Sequence, residues 1–193
     1  MMKTTIKIFI LPAILIIASV STGLAQGALG KAQQVTGDRF NFGGRTQKGA
    51  NIYSARRPSN AMLAAIDRGL TDLFTAARRN GYSRRLNYAD YTIFIANADR
   101  QTNSAGVYSP DIAVGAAQYA GTDYDQGGYV FAAGMVVAFN PMSFVVAEHT
   151  RDLNRVSEVV RFEGEHLVLY HNDRRRYQET ADHSRGGGHP ILN

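Results

Sequence analysis

Apolar residues recur at helical spacing most clearly in "PSNAMLAAIDRGLTDLFTAARRNGY", where Met62, Ile66, Leu70, Leu73, Phe74 and Ala77 fall on one stripe. Ser59 or Asn60 can cap the start, and Asn80-Gly81 supplies a left-handed stop. Asp67 and Asp72 fall on the opposite face. This pattern predicts a helix over 59–80. A second change of period begins at Thr150. Leu153, Val156, Val160, Leu167 and Tyr170 share a stripe, with Thr150 or Asp152 as cap, which predicts a helix over 152–172. On that helix Glu163 lies between Val160 and Leu167, on the buried side, with His166 beside it at i+3. Read as a strand instead, "EHLVLYH" would send His166 and His171 to opposite faces; the periodicity favours the helix.

Between the helices the pattern is extended. "YADYTIFIA" (88–96) is apolar on both faces and reads as an interior strand. "GYVFAAGMVVAF" (128–139) and "SFVVAEH" (143–149) read as two strands joined around Asn140-Pro141. All three are too apolar to face water, so helices must cover them. The polar stretch 97–128 reads as a long loop of the kind that covers or forms a site. Residues 26–58 form a polar N-terminal segment in which "DRFNF", "GGRTQKG" and "ANIYS" can make a hairpin, and its first ten or so residues read as a disordered leader. The expected fold is α+β, with 59–193 a single domain whose antiparallel or mixed sheet is flanked by the two main helices.

The start of the chain stands apart. "MMKTTIK", "IFILPAILIIASV" and "STGLAQ" follow the basic, apolar and small-residue order of a secretory signal peptide, 1–25. The apolar run holds Pro12 and falls short of the roughly 20 residues a membrane span needs. The expected address is therefore periplasmic or extracellular, with no membrane span after cleavage. The chain has no cysteine, which excludes disulfides and thiolate metal sites. Its net charge is +5, and loss of Lys3 and Lys7 leaves +3. The cations are mostly arginines in short runs: 56–57, 78–79, 84–85 and 174–176. They read as solvated ends of elements, without an aromatic-interleaved basic stripe, so no nucleic-acid partner is expected.

Histidine carries the candidate chemistry. All five histidines, His149, His166, His171, His183 and His189, fall in the last third of the chain. Without cysteine, a divalent metal such as zinc takes His and carboxylate ligands, two of them commonly one helical turn apart and a third from a later loop. Glu163 and His166 meet the first condition, and His183 or His189 in "DHSRGGGHP" the second. Glu165 would then be the general base acting on a bound water. Asp173 and Asp182 could orient a ligating imidazole. The run Gly186-Gly187-Gly188 permits close backbone approach or an anion. The plainer alternative is a satisfied His–Glu core hydrogen bond and a flexible glycine tail.

The order of elements is similar to that of zincin metallopeptidases: an early long helix, strands, a helix carrying the site and a third ligand downstream. The zincin signature His-Glu-x-x-His is absent, and the inverted form would need a histidine where Phe162 stands. There is no Gly-x-Ser-x-Gly elbow, phosphate loop or dinucleotide fingerprint. Ser184 beside His183 and Asp182 points away from them as sequence neighbours do. Two function classes follow. One is an exported metal-dependent hydrolase acting on a peptide or envelope polymer. The other is a non-enzymatic periplasmic or secreted binding domain for an anionic or envelope partner.

Overall fold

The computed structural model describes residues 20–97, 112–115, 129–139, 142–149, 152–182 and 186–192. The helices are α1 (Val20–Thr36), α2 (Asn60–Arg79), α3 (Leu153–Asn172) and the short α4 (Arg174–Thr180). The strands are β1 (Phe42–Arg45), β2 (Asn51–Ser54), β3 (Tyr91–Ala96), β4 (Ile112–Gly115), β5 (Tyr129–Ala132), β6 (Gly134–Phe139) and β7 (Met142–Ala147). Five of them form one mixed sheet in the order β1-β2-β3-β7-β6, and β4 and β5 pair separately. The α+β expectation and the two main helices hold.

The sheet owes its mixed character to its connections. β1 and β2 make the hairpin expected in the polar segment, antiparallel, with Gly49 at φ 101 in the turn. β2 and β3 are parallel, and α2 carries the chain back between them; β3 and β7 are parallel as well, with β4, β5 and β6 in the connection. β6 and β7 pair antiparallel; the expected turn at Asn140-Pro141 lies outside the described residues.

β3 and β7 are buried on both faces, and their alternate residues feed two different cores. Tyr91, Ile93 and Ile95 with Met142, Phe144 and Val146 pack under α2 and α3. Phe94, Ala96, Val145 and Ala147 face the other way, toward Ala28 and Ala32 of α1 and toward Phe40. Phe40 and Tyr53 flank the Phe94 ring at centroid distances of 5.2 and 5.4 Å.

Three expectations need correction. The stretch after residue 25 is no leader: residues 26–36 belong to α1, whose Ala28 and Ala32 are buried one turn apart against the sheet. Residues 128–139 are not one strand. The chain leaves the β4–β5 pair at Ala133 and enters the main sheet at Gly134. Asp67 does not face solvent with Asp72. It is buried and accepts the Lys48 backbone N–H at 3.1 Å, tying α2 to the β1–β2 turn.

Candidate functional site

The site depends first on how α3 sits against α2. The two helices run parallel: the Ser157 hydroxyl donates to the Ala65 carbonyl at 2.8 Å, and the pairing continues in step to Gly164 beside Leu73. A Cβ on Gly69 would strike the Ser157 carbonyl oxygen, and one on Gly164 would lie 2.7 Å from Leu73 Cδ2. Two glycines, one on each helix, thus let the backbones close together and fix the rotation of α3. Asp152 caps α3 by accepting the Arg155 N–H at 3.0 Å, and residues 164–169 are all buried. A helix enclosed on so many sides cannot keep its polar residues on one outer face.

What closes over α3 is the C-terminal segment. Gly186 takes φ 81, and Gly187 donates to the Asp182 carbonyl at 3.1 Å in a turn whose tight inner side would admit no Cβ. The glycine run therefore reverses the chain. Beyond the turn, Ile191 inserts into the main core at 4% exposure, and its carbonyl accepts from Asn80 Nδ2 at 3.4 Å. Its N–H donates to Glu165 Oε1 at 3.0 Å. Glu165 is fully buried, and its second oxygen lies 3.6 Å from Nδ1 of His189.

His189 is the meeting point. Its ring centre lies 5.1 Å from that of His166 and 4.7 Å from that of Phe162. On its open side is a cavity of about 230 Å³ lined by Ala133, Gly134, Val159, Phe162, Glu163 and His189. Gly134 makes this cavity possible, because a Cβ there would stand 2.8 Å from Glu163 Cγ. Burial among apolar walls pushes the Glu163 carboxyl up to about 7, the nearby His189 pulling the other way.

The expected site residues are therefore divided. Glu163, His166 and His189 are brought into one neighbourhood, with Glu165 beneath them. Glu163, expected on the buried side, is partly buried on the cavity wall, and Glu165, expected as the general base on a bound water, is sealed away from the cavity. Glu165 has 0% exposure, because the returning segment covers it. His183 lies outside the described residues. His171 stacks edge-on against Tyr170 at 5.0 Å, toward the far end of the helix. His149 is buried at the end of β7. Asp173 caps α4 through the Arg176 N–H at 3.0 Å and orients no imidazole at the site. Among the described residues no group of three His, Asp or Glu side chains stands close enough to hold a metal ion. Ala133, Gly134, Val159 and Phe162 complete the cavity, and nothing in their sequence context marks them.

No protein-family model matches the chain, and no significant match exists among curated proteins or solved structures. Among the described residues no helix is long and apolar enough to cross a membrane.

Proposed function

We propose that this chain is an exported acid–base hydrolase whose working pair is Glu163 and His189. The observation that supports this reading is a carboxyl titrating near neutrality on the wall of an apolar cavity, beside an imidazole backed by a second, buried carboxylate. A group with a pKa near the working pH is the most effective proton carrier, since both its forms are populated. Glu165 acts through His189: its oxygen 3.6 Å from Nδ1 fixes the ring. Glu163 as carboxylate takes a proton from an attacking water, and His189 as imidazolium gives one to the leaving group. Water and the scissile bond thereby become an acid, or for a glycoside a reducing sugar, and a free amine or alcohol.

The cavity is smaller than the several hundred Å³ typical of drug-sized ligand sites. It fits one apolar side group of a peptide or polymer chain, with the remainder lying across the surface. The signal-like order of residues 1–25 supports export and a periplasmic or extracellular address.

A pH–rate profile over a panel of peptide, ester and glycoside substrates tests the reading. Turnover of one class should show an apparent pKa near 7, and Glu163→Gln should abolish it while His166→Ala spares it. Undiminished turnover in Glu163→Gln would remove the proposal. The His166–His189 ring pair favours a second reading, in which a divalent metal such as zinc draws Glu163, His166 and His189 closer together than they stand in the structure. Its test is metal content of the tag-free protein. Near-stoichiometric metal, lost in His166→Ala, would establish it.

A further inference from the structure

Because α2 and α3 run parallel, both helices end at the same pole, and the arginine runs that are scattered in sequence meet there. Arg78 and Arg79 close the last turn of α2. The following loop brings Arg84 and Arg85, and it is fastened to the end of α3 through Asn172. That side chain accepts the Arg84 N–H at 2.9 Å and donates to the Arg84 carbonyl at 3.1 Å. Immediately beyond, α4 presents Arg174, Arg175 and Arg176. Arg176 donates to the Tyr82 hydroxyl at 3.2 Å, which joins α4 to the loop after α2. His171, between them, is held below its ordinary pKa by burial and then by Arg85 and Arg174, with Asp90 opposing.

The seven arginines are all exposed, and stretches 78–90 and 170–180 offset them with three carboxylates only. Two of those are already engaged: Asp173 caps α4, and Glu179 lies 3.8 Å from Arg175. The negative ends of two helices together amount to roughly one elementary charge. The pole therefore keeps a large positive excess, although the whole chain carries only +5.

Some of this face is pre-arranged. Arg174 lies flat on the Tyr170 ring at 3.5 Å, and Tyr177 stands edge-on to the same ring at 5.4 Å. Arg85 adopts φ 54, the left-handed region, and is the one non-glycine among the described residues to do so. Such strain is maintained only where neighbours over-determine it; here Asn172 pins the adjoining Arg84 through both its backbone groups.

We propose that this pole is a docking surface for an acidic polysaccharide, with guanidinium groups from three elements engaging successive sulfate, phosphate or carboxylate groups. Every cation in the cluster is arginine, whose planar fork matches oxyanions bidentately. Single-stranded nucleic acid calls for open aromatic faces on which bases stack. The tyrosines here are half-buried, with Arg174 over Tyr170 and the Tyr82 hydroxyl engaged by Arg176. An anionic membrane calls for apolar anchors beside the charges. The exposed uncharged neighbours are Asn80, Gly81, Ser83, Asn87, Ala89 and Gln178, none of them a large apolar anchor.

The test compares binding of the purified chain to dextran sulfate, polygalacturonate, neutral dextran, oligo-dT and phosphatidylglycerol vesicles at low and physiological salt. Binding to the first two, weakening with salt and absent for neutral dextran, is expected. Replacing Arg78, Arg79, Arg84 and Arg175 by Gln should weaken it about thirtyfold or more, taking modest contributions from each exposed charge. The same loss of charge at Arg39, Arg45, Arg56 and Arg57 should change it much less. Equal weakening by both variants would reduce the effect to net charge and overturn the proposal. So would failure to bind either acidic polysaccharide, or tighter binding of oligo-dT or of the vesicles. If the fourfold variant melts early, the exposed pair Arg79→Gln and Arg175→Gln repeats the comparison.

Discussion

The middle of the α2–α3 pair and its C-terminal pole use the same two helices to opposite ends. In the middle, glycines bring the backbones together, the returning segment seals the surface, and Glu165 and His166 are removed from water. At the pole the helices finish, the loops are polar, and arginine accumulates with little to neutralise it. Charge buried in the middle shifts its proton affinity and so gains chemistry. Charge left at the pole stays in water and gains reach.

The largest test of that contrast is steric. Gly69→Ala should destabilise the fold by about 3 kcal/mol, as overpacking against rigid backbone does. Arg79→Ala at the pole should stay within about 0.5 kcal/mol. Chemical denaturation of both variants gives the comparison, and similar values would erase it. Glu165→Ala comes next. It strands the buried Ile191 N–H and should cost about 2 kcal/mol, while Glu165→Gln, which keeps an acceptor, should cost distinctly less.

Glu163→Gln is a test in pH. The folded pKa, about 7, lies above the ordinary value of 4.5. The stabilisation tied to its protonated form is whole below pH 4.5 and lost as pH rises through 7. The Gln variant lacks that loss, so it should match the wild type near pH 4.5 and exceed it by about 2 kcal/mol at pH 8, after allowance for partial exposure. Melting curves at the two pH values would show it, and a constant offset would argue against a raised carboxyl. Smallest is Arg85→Gly, which should stabilise by about 0.5 kcal/mol through relief of the left-handed strain. It should also let the His171 pKa rise toward its ordinary value, read by NMR titration.

The long helices were legible because their stripes are strong and their caps conventional: Ser59 accepts the Met62 N–H, and Asp152 caps α3. α1 was not, since its buried contacts are made by Ala28 and Ala32. Alanine at i and i+4 in a Gly- and Gln-rich segment carries almost no hydropathy signal, though it packs well on a flat sheet. The change of sheet at Ala133 was hidden because an unbroken apolar run looks the same whether it stays in one sheet or passes between two. At the site, periodicity located the right helix and the right turn. It put Glu163 on the buried side and gave Glu165 the general base's role because it saw only the apolar stripe facing α2 and the sheet. The cover over Glu165 comes from residues some 25 positions later, whose return depends on a glycine turn that periodicity does not register.

The bond from Ile191 to Glu165 leaves a convenient signature. Residues outside helices and strands usually trade their amide hydrogens with solvent quickly, because nothing there must open first. The Ile191 hydrogen is donated to a fully buried carboxylate and can leave only when the segment lifts from α3. Its exchange rate is thus a clock for the whole arrangement, since the same lifting would carry away His189. One slow amide in an otherwise fast stretch would report how much of the time the site exists.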